Sequence, residues 1–277
     1  LIFILLWSSA FITTKPIVDN SDPFAALAFR FFFVAIGFYV FCIISKNSVI
    51  IKRKTFVQSF LSGVLFHGVY LGGVFYSISI GMPTSLAALI VTLQPILTNA
   101  LSGPILNEKV SKKQWAGVFL GFGGASIVLG LDIGSDIPFF GFIATIIALI
   151  AITTSTIWQK KLSNNLPLSV SNFYQAIGGC VFHTVIIIFF VDPFIHFSKT
   201  FLIAISHQIL LVSFGAFTIL MFLIKKNSAS KTVSVFFLIP PTSAFMAWFF
   251  LNETLTTLDI LGFFIASVGV YLATRNE

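Results

Sequence analysis

Prolines deep inside apolar runs are the first residues of this chain that could do chemistry. Pro95 lies near the centre of one such run, and Pro240-Pro241 near the centre of another, 145 positions later. A proline within a helix removes one N–H bond and frees the carbonyl four residues earlier, here those of Val91, Phe236 and Phe237. In hydrocarbon an unpaired carbonyl is expensive unless something satisfies it. Matched breaks at matched depth therefore point to a solute site lined by backbone. The plainer alternative is a bend that lets each helix pack.

Polar side chains at the same depth complete the candidate set. His67 falls in the middle of an apolar run with Tyr70 one turn further on. Gln94, Thr98 and Asn99 form a polar stripe beside Pro95, and Thr153, Thr154 and Ser155 form another. Trp7 and Ser8 lie near the centre of the first run if its helix extends upstream of residue 1. The substrate-binding candidates are thus Trp7, Ser8, His67, Tyr70, Gln94, Pro95, Thr98, Thr154 and Pro240. The same groups could equally be glue between helices, worth about 0.6 kcal/mol per hydrogen bond. Arg30 sits outward of the middle of its run, where it is expected to snorkel to the interface or tether the following loop. Its alternative is to hold an anionic solute by charge-assisted hydrogen bonds. His183 has no polar companions and is expected to pack.

What is missing narrows the chemistry. Every Asp and Glu lies at or beyond the end of an apolar run, so proton coupling through a buried carboxylate is not expected. No H-E-x-x-H, G-x-S-x-G, P-loop or Asp-rich metal loop occurs, so no enzyme, ATP hydrolysis, cofactor or metal is expected. Cys42 and Cys180 stand alone in apolar runs and read as packing residues. The classes left are a secondary carrier, a channel, or a membrane enzyme without a recognised catalytic motif. No re-entrant filter segment favours the channel.

The elements that must position these residues are membrane spans. The chain has 277 residues, 57% hydrophobic and only 9% charged, against about a quarter charged in soluble domains. A span needs about 20 mostly apolar residues. Ten stretches qualify, at about 1–17, 24–45, 56–79, 84–106, 112–131, 139–159, 168–191, 200–224, 229–251 and 257–274. Turn signals separate them at Asn20-Ser21-Asp22-Pro23, Gly81-Met82-Pro83, Ser163-Asn164-Asn165 and Asp192-Pro193. Ser111-Lys112-Lys113-Gln114 and Thr256-Thr257-Leu258-Asp259 both read as capping boxes.

The net charge of +7 is spent on orientation rather than on nucleic acid. Lys46, Lys52, Arg53, Lys54, Lys109, Lys112, Lys113, Lys160, Lys161, Lys225, Lys226, Lys231 and Arg275 fall on one side of a ten-span arrangement. The other side holds Lys15, Lys199 and Asp19, Asp22, Asp132, Asp136, Asp192, Glu253 and Asp259. The positive-inside rule then puts both termini in the cytoplasm, consistent with a bacterial inner membrane.

The 145-residue spacing of the prolines extends well beyond them. Ser85 aligns with Ser230, Leu93 with Leu238, and Leu106-Asn107-Glu108 with Leu251-Asn252-Glu253. Gly117, Phe119 and Gly124 align with Gly262, Phe264 and Gly269. A unit of five spans, copied once, must re-enter the membrane upside down. The expected fold is an all-α polytopic membrane protein of ten transmembrane helices, as two inverted five-helix repeats over 1–137 and 138–277. The glycines of the fifth and tenth spans form small-residue faces for close packing.

Several of these residues together resemble the drug/metabolite transporter superfamily, specifically its EamA domains. They are Trp7-Ser8-Ser9 with Phe11, Phe29-Arg30-Phe31, Gln94-Pro95, Asn107-Glu108-Lys109-Val110 and Gly117 with Gly124. The second half adds Pro240, Asn252-Glu253-Thr254-Leu255 and Gly262. The resemblance covers essentially the whole chain. It implies ten helices, cytoplasmic termini and alternating access of a small solute through a cavity between the halves. Lys15 and Arg30 fit the first-half pattern, whereas the second half has Gln175 in place of the arginine. The expected function is export or exchange of a small metabolite, an amino acid or related amphipathic solute. The partners are then that solute and the lipid bilayer, with no nucleic acid and with a homodimer left open.

Overall fold

A computed structural model describes residues 1–129, 137–162, 166–251 and 256–275. Asp132, Asp136, Ser163-Asn164-Asn165 and the Asn252–Leu255 motif lie outside these residues. The helices are α1 Ile2–Val18, α2 Pro23–Ile44, α3 Arg53–Ser79, α4 Thr84–Val91, α5 Gln94–Leu106 and α6 Lys112–Leu129. They continue as α7 Phe139–Leu162, α8 Leu168–Phe190, α9 Lys199–Lys226, α10 Ala229–Ser234, α11 Ile239–Leu251 and α12 Thr257–Thr274. Among the described residues seven helices are long and apolar enough to cross a membrane, with Ile2–Val18 a shorter apolar one. The chain is an all-α polytopic membrane protein.

Its surface and interior are arranged for lipid. Phe32, Phe33, Ile36, Phe139, Phe140, Phe189 and Phe264 are exposed, while Ser8, Gln94, Thr98, Asn99, Asn172 and Gln208 are buried. With no water in the hydrocarbon, polar groups gain by turning inward to one another.

Both mid-membrane proline regions are broken, but not where the prolines alone would break them. The backbone leaves the helix at Thr92 and Leu93, and Pro95 then falls in the first turn of α5. Likewise a 3₁₀ turn, Val235–Leu238, precedes α11, whose second residue is Pro240. At the start of a helix the missing N–H is an orphan in any case, so the proline is accommodated there without a lost bond. The expectation of a single helix with a freed carbonyl is corrected to two helix segments meeting at a turn.

Two further irregularities were not expected. Inside α3 the stretch Val64–Tyr70 is a π-helix, and inside α9 so is Gln208–Ala216. Single π turns inside α-helices often mark functional sites. Here they carry His67 and Tyr70 on one helix, and Gln208, Val212 and Ser213 on the other.

The most extensive pairings are α6 with α12, α2 with α8 and α3 with α7. In addition α5 packs on α7, while α9 and α11 pack on α1. The α6–α12 crossing is close enough to bring backbone onto backbone. A Cβ on Gly269 would lie 2.3 Å from the Gly121 nitrogen, and one on Gly124 would lie 2.4 Å from the Ala266 nitrogen. The small-residue faces read from the sequence therefore meet each other directly.

Caps fix several helix starts. The Asp22 carboxylate accepts from the Ala25 N–H at 2.8 Å with Pro23 at the first position, as the turn signal requires. Thr256 and Asp259 form a complete capping box. Ser111 makes only half of one. Its hydroxyl accepts from the Gln114 N–H at 3.2 Å, but the Gln114 side chain turns away and donates to Ser230 Oγ at 2.7 Å. Cys42 and Cys180 are both free.

Candidate functional site

The end of the bundle that carries Lys15 and Lys199 opens into a cavity of about 880 Å³. Solute pockets are typically about 300–1,000 Å³. Its mouth is lined by Lys15, Pro16, Val128, Lys199 and Thr200. Deeper down it is walled by Phe11, Tyr70, Ala88, Val91, Thr92, Ile239, Pro240, Ser243 and Ala244. Trp7 and Phe236 form its floor, stacked with ring centroids 5.6 Å apart and backed by Phe3, 5.4 Å from Trp7. Both helix breaks contribute to the walls, through Val91-Thr92 and through Phe236 and Ile239-Pro240.

Trp7, Phe11 and Tyr70 also line a second, smaller cavity of about 50 Å³. Arg30, His67, Gln208 and Ser213 surround it. Arg30 is only 4% exposed, which corrects the expectation that it snorkels or tethers a loop. Its Nε donates to Ser213 Oγ at 2.9 Å and its Nη1 donates to Gln208 Oε1. Gln208 in turn donates to the Ala10 carbonyl at 3.3 Å and to Thr13 Oγ1 at 3.2 Å. The guanidinium is thus held between α2, α9 and α1. The π turn in α9 places Gln208 and Ser213 on the same side for this purpose.

The other candidates distribute unevenly. Trp7, Tyr70 and Pro240 line the large cavity, and His67 lines the small one. Ser8 is buried and donates to the Ile239 carbonyl at 3.2 Å, while Ser243 donates to the Ser8 carbonyl at 3.2 Å. That pair of bonds ties α1 to α11. Gln94 is buried and donates to Thr156 Oγ1 at 3.0 Å, and Pro95 and Thr98 are buried beside it without lining either cavity. Thr154 is exposed on the outer side of α7. His183 packs as expected, with its Nε2 2.9 Å from the His67 carbonyl oxygen. Thr13, Thr14, Thr92, Lys199, Thr200, Gln208, Ser213 and Ser243 are polar lining residues that the sequence did not single out, whereas Arg30 was weighed as the holder of an anionic solute.

Among the described residues none from the opposite ends of the helices lines the large cavity. There the chain is stitched across. The Glu108 carboxylate accepts from the Ala229 N–H at 2.8 Å and the Ser230 N–H at 3.3 Å, capping α10. Lys160 donates to the carbonyls of Ile224 at 2.9 Å and Asn227 at 2.6 Å. Gln114 bridges α6 to Ser230 on the same side.

A lipid-facing helical bundle enclosing a solute-sized chamber open at one end fits a membrane transport protein. The EamA-like transporter family matches residues 1–130 and 139–275, and the chain belongs to that family, within the drug/metabolite transporter superfamily. It is therefore a transporter-type fold for small metabolites. Among the described residues no group of three or more His, Cys, Asp or Glu could hold a metal ion.

Similar proteins include an uncharacterized transporter YvbV of Bacillus subtilis, 25% identical over 80% of this chain and 71% of that protein. A probable amino-acid metabolite efflux pump of Salmonella typhimurium is 23% identical, over 98% of this chain and 92% of its own length. The pump of the same description in Escherichia coli is 20% identical over the same shares. One solved crystal structure superposes with a TM-score of 0.82 at 17% identity, covering 98% of this chain and 94% of that one, which supports the fold alone.

Proposed function

We propose that this protein is a secondary carrier that exports or exchanges an amino acid or related amphipathic metabolite by alternating access. The observation that carries the reading is the chamber itself: reached by Lys15 and Lys199 at one end, bounded by the Trp7 and Phe236 rings, and lined, among the described residues, by none from the opposite helix ends. A channel needs a continuous path, whereas a carrier exposes its site to one side at a time. Relatives described as probable amino-acid metabolite efflux pumps support both the solute class and the outward direction.

The finer architecture follows the same proposal, as ten helices in two inverted five-helix repeats, 1–137 and 138–277. Packing supports it. Shifting by 145 residues carries the α1–α9 and α1–α11 contacts onto α7–α3 and α7–α5, and pairs α2 with α8 and α6 with α12. The π turns at Val64–Tyr70 and Gln208–Ala216, and the helix breaks before Pro95 and Pro240, obey the same shift.

Counterflow in proteoliposomes tests the carrier. Labelled amino acid inside should leave faster when unlabelled amino acid is present outside, with saturation. A linear flux without exchange would mean a pore instead. Orientation has its own test, motivated by the lysine asymmetry and placing both termini in the cytoplasm of a bacterial cell. Cysteine at Lys52 or Lys226 is expected to label only from the cytoplasm, and cysteine at Asp192 only from outside. The reversed pattern would overturn the orientation and leave the fold intact.

A further inference from the structure

We propose that the small cavity beside Arg30 is the anion subsite of the carrier, holding the carboxylate of the transported solute. The inference rests on the carrier reading and adds the chemical class of the solute. Arg30 is 4% exposed within the span Pro23–Ile44 and keeps a full positive charge among apolar rings. The two partners that hold it, Ser213 and Gln208, are neutral, and no Asp or Glu among the described residues lines the cavity. A charge at membrane depth is costly unless a counter-charge or a strong hydrogen-bond partner offsets it. The guanidinium has five N–H donors in a rigid fork, and carboxylate is the anion that matches that fork.

A second feature points to the same space independently. His67 Nδ1 is buried without a hydrogen-bond partner, and the ring lines this cavity. Among the described residues eight other buried side-chain N or O atoms also lack a partner, and none of those eight belongs to a residue lining this cavity, so His67 Nδ1 is the one that does. Size then limits what enters. A water needs about 10–15 Å³ of such space, so about 50 Å³ admits a headgroup and not a whole amphipathic solute. Trp7, Phe11 and Tyr70 line both spaces. Shared lining makes the two spaces neighbours, and the proposal has the rest of a solute held at Arg30 extend past these rings into the large chamber.

The test uses the purified full chain and a panel of probes: the proteinogenic amino acids, their amides, the matching amines, acetate, benzoate and sodium bromide. Thermal shift and tryptophan fluorescence read binding. At least one acid should bind, its amide and amine should not, and Arg30→Gln should weaken that acid by a factor on the order of 10–100. Ser213→Ala, which leaves the charge in place, should weaken it less, and Arg30→Lys guards against a misfolded neutral variant. Acids that compete with one another mark the solute as the source of the anion. A shift from bromide that no acid displaces assigns the site to a free inorganic anion and overturns the solute assignment. Amides binding as well as acids, a folded Arg30→Gln variant with unchanged affinity, or no shift with any acid would each overturn it too. Counterflow of an amide through that variant would leave the carrier standing while the carboxylate assignment falls. Binding of an acid without any exchange would do the opposite.

Discussion

Gly269→Val is expected to prevent assembly of a stable bundle. A Cβ there would sit 2.3 Å from the Gly121 nitrogen, 2.6 Å from its Cα and 2.7 Å from the Gly117 carbonyl oxygen. All three are backbone atoms, so no side chain can rotate away and the two helices must separate. Overpacking against yielding side chains costs about 1–3 kcal/mol, and rigid backbone on both sides raises the cost above that range. Separation would also forfeit the contacts at Gly124 and Gly262, because the same crossing brings Gly124 within 2.7 Å of a Cβ on Gly262. The expected readout is loss of the monodisperse peak in size exclusion, with expression falling sharply. Gly123→Ala is the matched control: a Cβ there meets nothing within 4 Å. It should be neutral or gain up to about 1 kcal/mol from helix propensity. If Gly269→Val melts like the parent, the α6–α12 crossing does not have this geometry.

That contact was legible in the sequence because it depends only on glycines recurring at helical spacing in two copies of one segment. The prolines were legible for the same reason, their register being covalent. Beyond register the sequence thins out. Arg30 was read as an interfacial residue because its partners, Gln208 and Ser213, lie 178 and 183 positions away, and only folding brings them together. Thr154 shares a stripe with Thr153 and Ser155, yet it faces outward while they are buried. A threonine tolerates either side by bonding to its own helix, so composition cannot assign its face. Gln94 has the chemistry of a solute ligand, but Thr156 takes its N–H donor and the side chain lines neither cavity, although its Oε1 is left without a partner. The π turns have no composition of their own. They became visible only through what they aim: Tyr70 from one helix, Gln208 and Ser213 from the other.

Removing the stitches at the sealed end is expected to open it. Glu108 satisfies two orphan N–H groups of α10, and Lys160 satisfies two carbonyls around the α9–α10 turn. Loss of such a cap costs about 1 kcal/mol, and hydrogen bonds to charged groups are worth about 1.5–3 kcal/mol. Allowing for water replacing part of each, Glu108→Ala with Lys160→Met destabilises the closed state by on the order of 2–4 kcal/mol, lowering its population relative to the open one by about 30- to 1,000-fold. Ser234→Cys in a background lacking Cys42 and Cys180 reports it, since Ser234 is wholly buried in α10 and lines neither cavity. Its labelling by a membrane-impermeant thiol reagent from the sealed side should rise by that factor, while reagent from the open side should reach it no faster. The repeat adds a converse. Lys160 corresponds to Lys15, and the carbonyls it holds correspond to those of Ser79 and Met82. Lys15 instead lines the chamber mouth here, 2.5 Å from Asp19. If the halves exchange roles during transport, Lys15 closes the mouth by capping those two carbonyls when the far end opens. Lys15→Met should then slow counterflow and lower Ser234→Cys labelling in the stitch-deleted variant. Unchanged labelling in both variants, with exchange intact, would make these contacts structural and place the gate elsewhere.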